Sequence, residues 1–484
     1  MNNNLTNSSK NLRYYKWSKK ESNLLFKDIR NILDITNSQF YYPIMSLYFY
    51  IHNTKNSNKR IDFDRNFFIK RILKIIKEKS YNSNMIINCE TFSKNENLYE
   101  EKELFCKSIS LVDPIHYVIN NYNTYYNKNN FLPSNYGYNL QNKINNMDNM
   151  AYIDVFCSFL FSELTQKDIL PNFPIYYGSV NGKQNIKYDI TEEFYEFENH
   201  PEFIKMNKKT FEIDCYTNTD TSSENSDSDS DPDDDIYIAK LKNCPSILLF
   251  MEKLEGTLED IIQEDLHIDE LKSCLFQIAF SLAYLQKHYA FTHNDLHINN
   301  IMYSYTEKTF IYYKFNNIYF KVPTFGKIFK IIDFGRSIIT YKNKLFLNDA
   351  FSKYGEAEGQ YQYSSSIPFM PAKDGTKPSP YFDLCRLAIT MLDEIRYNYD
   401  DEIDETSDED LEEKYDDLLD FLKFVATDKN GVRLDKEDDN FKLYINISKN
   451  AKNSHPIDII SNKYFNDYRI KKNMFPKKLF YSLS

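Results

Sequence analysis

Stretches of the chain whose apolar positions recur at a fixed period alternate with stretches that have none, and each kind predicts a different element. In "FFIKRILKIIKEK", Ile69, Ile72, Leu73 and Ile76 fall on one helical face, so an amphipathic packing helix is expected there. "ELFCKSISLV" reads as a strand. "MAYIDVFCSFLFSEL" has apolar residues at 153, 156, 157, 160, 161 and 164, a continuous helical stripe. "FPIYYGSV" and the apolar "SILLFMEKL" read as two more strands, separated by about 60 residues of low pattern. That interval ends in the acidic serine tract "TSSENSDSDSDPDDD", Thr221 to Asp235, which cannot bury enough surface to order itself.

The longest helical pattern is "DELKSCLFQIAFSLAYLQKHYA", with Leu271, Leu275, Ile278, Leu282 and Leu285 on one face. Ahead of it, "TLED" starts a short helix at Thr257 with Asp260 in a capping-box position. Behind it comes "HYAFTHNDLHINNIMY", which places two histidines, an aspartate and a pair of asparagines between apolar segments. "TFIYYKF-NN-IYFKV" predicts a hairpin turning at Asn316 and Asn317, residues that tolerate positive φ. "KIFKIIDFG" follows as a buried strand. "SPYFDLCRLAITMLDEI" predicts a buried helix with Ser379 as N-cap and Pro380 at its first position. Of the 14 residues from Asp400 to Glu413, 10 are acidic, the pattern of a solvated loop. No internal repeat is visible.

Composition narrows the partners. The 484 residues suit two lobes or domains, and 42% hydrophobic content with 40 Tyr and 37 Phe excludes a wholly disordered chain. A net charge of −11 argues against a nucleic-acid backbone as partner and favours basic ones. The seven cysteines are scattered and never spaced as CxxC, which fits a reducing, intracellular, cytoplasmic setting and gives no zinc motif. No signal-peptide pattern opens the chain, and the longest apolar run, Phe40 to Ile51, falls short of a membrane span. No membrane partner is expected.

The chemistry concentrates in "HNDLHINN". An aspartate, Asp295, stands two residues after His293, Asn300 stands five residues after Asp295, and "IIDFG" supplies Asp333 a further 33 residues on. Carboxylate and amide oxygens are the ligands hard cations select, and a carboxylate beside a hydroxyl can take its proton. The order H-x-D-x-x-x-x-N and then D-F-G resembles the catalytic and metal-binding loops of protein kinases, over residues 100 to 480, with details closest to the divergent serine/threonine kinases of large DNA viruses. The resemblance implies an α+β, bilobal fold. Residues 1–95 would then be a partly helical N-terminal extension, 96–252 a small β-rich lobe with the disordered insertion near 216–235, and 253–484 a larger, mainly helical lobe with an acidic loop near 400–413.

The same resemblance implies ATP and Mg²⁺ as cofactors, protein substrates, and a role for each residue. Asp295 would be the catalytic base, Asn300 and Asp333 the metal ligands, and His297 would stand where such enzymes carry a lysine near the γ-phosphate. His293 and Asp383 would support the loop. Lys107 would anchor the nucleotide phosphates, paired with Asp154 or Glu163, which lie on opposite flanks of the helix stripe; the look of viral relatives favours Asp154. Met251 would be the gatekeeper, and Glu252 and Leu254 would offer backbone groups to the adenine.

Two departures stand out. The first glycine of the chain is Gly137, so no glycine-rich loop precedes Lys107, and Asn294 replaces the arginine that commonly reads activation-loop phosphorylation. Together with His297 in place of the lysine, they motivate a pseudokinase scaffold as one alternative. A small-molecule kinase of the aminoglycoside or choline type is another, disfavoured by the F-G after Asp333 and by the 47-residue interval from Ser337 to Asp383.

Overall fold

A computed structural model describes residues 12–49, 58–79, 81–122, 142–216, 235–264, 267–352, 355–361, 378–404, 409–437 and 440–483. The chain is of mixed α+β class and divides into two compact units: residues 1–152 with 176–253, and residues 153–175 with 254–484. Most of the acidic serine tract and Gly137 lie outside the described residues.

Among the described residues, the first unit is built on a seven-stranded sheet. Its order is Thr36–Gln39, Tyr176–Asp189, Ile236–Glu252, Leu98–Ser110, Met85–Ser93 and Phe67–Glu78, with Phe211–Tyr216 also pairing to Ile236–Glu252. The stretch expected to be a packing helix is therefore the strand Phe67–Glu78. Its pairing with Met85–Ser93 shifts register between Ile69 and Arg71, Ile72 and Lys74, and Ile75 and Lys77. Each bulge inserts an extra residue, so repeated bulges stretch the two-residue alternation of a strand toward three and imitate a helix in sequence. Ile69 and Ile72 are buried, whereas Leu73 and Ile76, assigned to the same helical face, are exposed.

The helix of this region is instead Lys19–Ile32, started by a Ser18–Glu21 capping box and burying Leu25 and Ile29. Trp17 stacks on Phe40 at 4.6 Å beneath it. Lys70 is buried, ion-paired to Glu21 at 3.1 Å and set over the Trp17 ring at 4.3 Å. Arg65 and Asp62 form a buried pair at 2.8 Å. Gly178 makes room for it: φ is +155°, and an added Cβ would lie 2.8 Å from Arg65 Nη2. The low-pattern interval after Val180 is more ordered than expected, since the strand runs to Asp189 and is followed by helices Thr191–Phe197 and Pro201–Met206 and the strand Phe211–Tyr216.

The second unit takes the helix Met150–Gln166 from Ile153 onward and is organised around the buried helix Ile268–Tyr289. The Thr257 cap forms as expected: Asp260 N–H donates to Thr257 Oγ1 at 3.1 Å and Thr257 N–H to Asp260 Oδ2 at 2.7 Å. Strands Ile301–Tyr305 and Lys327–Ile331 pair antiparallel, and the hairpin Phe310–Phe315 and Ile318–Pro323 turns at Asn316, whose φ is 52°. Phe276 and Phe280 of the long helix pack on Tyr313 of that hairpin.

Two expectations shift here. The helix after Ser379 is Phe382–Asp404, two residues later than the expected start and, at 23 residues, one longer than Ile268–Tyr289. The acid-rich run is helical where described, its far end opening Glu409–Val425. Glu409, Asp410 and Glu412 sit in the first turn, where carboxylates oppose the helix dipole, and Tyr415, Leu418, Leu419 and Leu422 bury the next turns. Among the described residues, no helix is long and apolar enough to cross a membrane.

Candidate active site

The helix Ile268–Tyr289 ends at Ala290, whose left-handed φ of 45° turns the chain into the polar loop. Thr292 then exchanges two backbone hydrogen bonds with Ile338, at 3.0 and 2.9 Å. Asp383, fully buried at the start of its helix, accepts from the N–H groups of His293 and Asn294, both at 2.9 Å. Burial raises its carboxyl above the usual range, and His293 and the two N–H groups oppose that. His293 Nε2–H donates to the Ile332 carbonyl at 2.9 Å, joining the loop to the segment that carries Asp333. Both residues expected to support the loop thus touch its backbone or its neighbour.

Strand pairing brings the oxygen-bearing residues together. Ile301 pairs with Ile331, and Ile332 N–H donates to the Asn300 carbonyl at 3.1 Å, so Asn300 and Asp333 stand at the same end of one antiparallel ribbon. The ribbon is fixed from behind by Asn172, whose Nδ2 donates to Phe329 O at 2.7 Å and whose backbone carbonyl accepts from Ile331 N–H at 2.9 Å. Gln277 of the long helix accepts from Phe329 N–H at 3.2 Å. Asp333 has φ of 61°, a left-handed conformation aspartate tolerates, and its Oδ1 accepts from Gly335 N–H at 3.3 Å.

Asn300 Nδ2 donates to the Asp295 carbonyl at 2.8 Å and lies 3.0 Å from His297 Nε2. With its amide nitrogen so engaged, the carbonyl oxygen is the end that could face a cation. Burial holds the His297 imidazole below its usual pKa; Asp295 and Asp333 pull the other way, and Arg386 and His293 reinforce the effect. Among the described residues, no three His, Cys, Asp or Glu side chains gather to hold a metal unaided. Asn300 and Asp333 are nevertheless an all-oxygen pair suited to Mg²⁺, which takes few protein ligands and keeps other oxygens.

The two candidate acids of Met150–Gln166 part company. Asp154 is buried and its Oδ1 accepts from Phe334 N–H at 3.0 Å, directly after Asp333. Glu163 is partly exposed and pairs with Lys167 one turn on. In the first unit, Lys107 pairs with Leu249 on the sheet, and Met251 and Glu252 end the strand Ile236–Glu252. Met251 is buried there; Leu254 is buried in the second unit.

Sequence reading missed several residues that complete the site. Tyr444, on the helix Asn440–Asn450, donates its hydroxyl to Asp295 Oδ1 at 2.6 Å. Arg336 reaches the same oxygen at 3.4 Å and Glu356 at 2.8 Å. Burial works against the Arg336 charge, and Glu356 and Asp295 outweigh it, so its pKa rises. Asn294 Nδ2 donates to Arg336 O at 3.0 Å, and Asn348 Nδ2 to Gly335 O and Ser337 O at 2.6 and 3.1 Å. Arg336 could have been noticed, since it directly follows D-F-G. Tyr444 lies 149 residues from its partner and carries no motif.

No protein-family model matches the chain. Over 75 residues it is 44% identical to a protein of Acanthamoeba polyphaga mimivirus named as a serine/threonine-protein kinase, covering 14% of this chain and 19% of that one. Over 125 residues it is 33% identical to a protein of Dictyostelium discoideum, also named as a serine/threonine-protein kinase, covering 23% and 10%. Over 91 residues it is 34% identical to the serine/threonine-protein kinase haspin homolog of Drosophila melanogaster, covering 18% and 16%. The chain spans at most 19% of the length of these relatives. Its similarity is to protein kinases, over part of its length.

Proposed function

We propose that the chain is an ATP- and Mg²⁺-dependent protein kinase of the two-lobed fold that phosphorylates serine or threonine hydroxyls of protein substrates. What supports this reading is the neighbourhood the second unit gives Asp295, Asn300 and Asp333: the Asn300 amide bonds the Asp295 backbone carbonyl, and Asn300 is paired through its own backbone to the segment just before Asp333. The partial similarities to serine/threonine kinases support it from a separate direction.

In this reading Asp295 orients the acceptor hydroxyl and takes its proton as the oxygen attacks phosphorus. Asn300 and Asp333 hold magnesium, which when bound neutralises the charge of the phosphates. His297 donates a hydrogen bond toward the transferring group, and His293 and Asp383 keep the loop in place. Lys107 anchors the phosphates with Asp154 as the favoured acid over Glu163, and Met251, Glu252 and Leu254 receive the adenine. The net charge of −11 favours basic protein substrates, met inside a cell.

The test is transfer of γ-phosphate from ATP to a degenerate Ser/Thr peptide library by the natural chain and by Asp295→Asn. Transfer by the natural chain that is lost in Asp295→Asn supports the reading. No transfer by either, together with no Mg-ATP binding at millimolar nucleotide, overturns it in favour of a scaffold.

A further inference from the structure

We propose that Tyr444, together with Arg336, is a positioning residue for Asp295: the two side chains hold Oδ1 of the carboxylate and so set Oδ2 as the oxygen that meets the acceptor hydroxyl. The inference rests on the reading of Asp295 as the base.

A carboxylate at the end of an aspartate turns in a broad, roughly two-fold well, and only its surroundings decide which oxygen faces where. Here the decision is made at one oxygen. Tyr444 O–H donates to Oδ1 at 2.6 Å, within the range of strong bonds to an ionised acceptor, and Arg336 Nη1 adds a longer contact of 3.4 Å. Among the described residues, none hydrogen-bonds to Oδ2. The backbone of Asp295 is held independently, by Asn300. Tyr444 therefore acts on the side-chain torsion and not on the loop.

Both clamping groups are themselves fixed. The Tyr444 ring packs on Phe382 with centroids 5.6 Å apart, and the Arg386 guanidinium lies 5.0 Å from its centre. Phe382 is the residue before Asp383, so the start of one helix steadies both the loop backbone and the residue that steadies the carboxylate. Arg336 is held from its other side by Glu356. The proton of the acceptor hydroxyl passes to Oδ2 as its oxygen bonds the γ-phosphorus and the bond to the departing ADP breaks. A base whose free oxygen is aimed in advance loses less to disorder at that step.

The experiment uses the full chain and follows steady-state phosphate transfer from ATP to the same peptide library, with thermal unfolding alongside, for the natural protein, Tyr444→Phe and Asp295→Asn. Tyr444→Phe keeps the ring and its packing and deletes the donor. Its kcat should fall about ten- to a hundredfold, the scale of one hydrogen bond to a charged group, with KM for ATP and Tm unchanged. An unchanged kcat overturns the proposal. A raised kcat also overturns it, because the phenol would then be competing with the acceptor, and so does a loss that tracks a lower Tm or a higher KM for ATP. If Asp295→Asn transfers at the natural rate, the assignment of the base fails and the clamp with it; if Asp295→Asn is inactive while Tyr444→Phe is unaffected, the clamp alone fails.

Discussion

Arg65 in the first unit and Arg336 in the second each stand beside an aspartate, and they are satisfied in opposite ways. Arg65 has its whole guanidinium occupied: Nη1 donates to Asp62 Oδ2 and Phe63 O, Nε to Phe67 O, and Nη2 to Tyr177 O, all between 2.8 and 3.0 Å. The Phe68 and Tyr176 rings lie 4.3 and 5.0 Å from its centre. Arg336 is half-buried, bound well to Glu356 and loosely to Asp295. A charge placed for structure is closed on every side. The charge of Arg336 instead meets only Oδ1 of Asp295, which leaves that carboxylate capacity to bind something else.

The contrast can be broken by mutation, and the largest effect should come from the open pair. Asp295→Asn should cut phosphate transfer about 10²–10⁴-fold, the usual worth of a general base, while Tm stays within a degree or two of natural. A matching fall in Tm would show that Asp295 is a structural acid like Asp62. Arg65→Ala should do the reverse. Stranding a buried Asp62 should cost about 3–5 kcal/mol of unfolding free energy by denaturant titration, whereas a cost below about 1 kcal/mol would mean that the pair is solvated in practice.

Smaller changes sharpen the boundary between the two kinds of site. Thr257→Ala removes one arm of the cap that precedes the Leu258–Glu264 helix and should cost about 0.5–2 kcal/mol by thermal unfolding, with KM for peptide unmoved. The least is expected from Lys70→Met. Its partner Glu21 is partly exposed, so a similar-sized apolar side chain among Trp17 and Phe68 should shift stability by less than about 1 kcal/mol and leave ATP binding intact. Loss of nucleotide binding in Lys70→Met but not in Lys107→Met would exchange the roles assigned to the two lysines.

How much of this was legible in the sequence follows from the range over which each signal acts. Asp295, Asn300 and Asp333 lie next to or within locally patterned elements, a helix and two pairing strands, so the pattern along the chain already carried the Asn300 bond to the Asp295 backbone and the pairing that sets Asn300 beside the segment before Asp333. The Thr257 cap and the Asn316 turn are local as well and formed where expected. The strand Phe67–Glu78 misled because its bulges mask the period of two that separates strand from helix. The acid-rich run misled because its polar residues open a helix whose apolar stripe begins only at Tyr415. Tyr444 and Glu356 were invisible for another reason: their value comes from contacts that local periodicity does not encode.

The ribbon formed by Ile301–Tyr305 and Lys327–Ile331 begins beside one oxygen donor and ends beside the other. Chain inserted into the excursion between its two strands, at the exposed tip near Phe325, should leave both donors where they are, so their separation in sequence is free to drift. A slip of a single rung would instead turn Asp333 toward the opposite side of the sheet. Spacing is forgiving there, and registration is not.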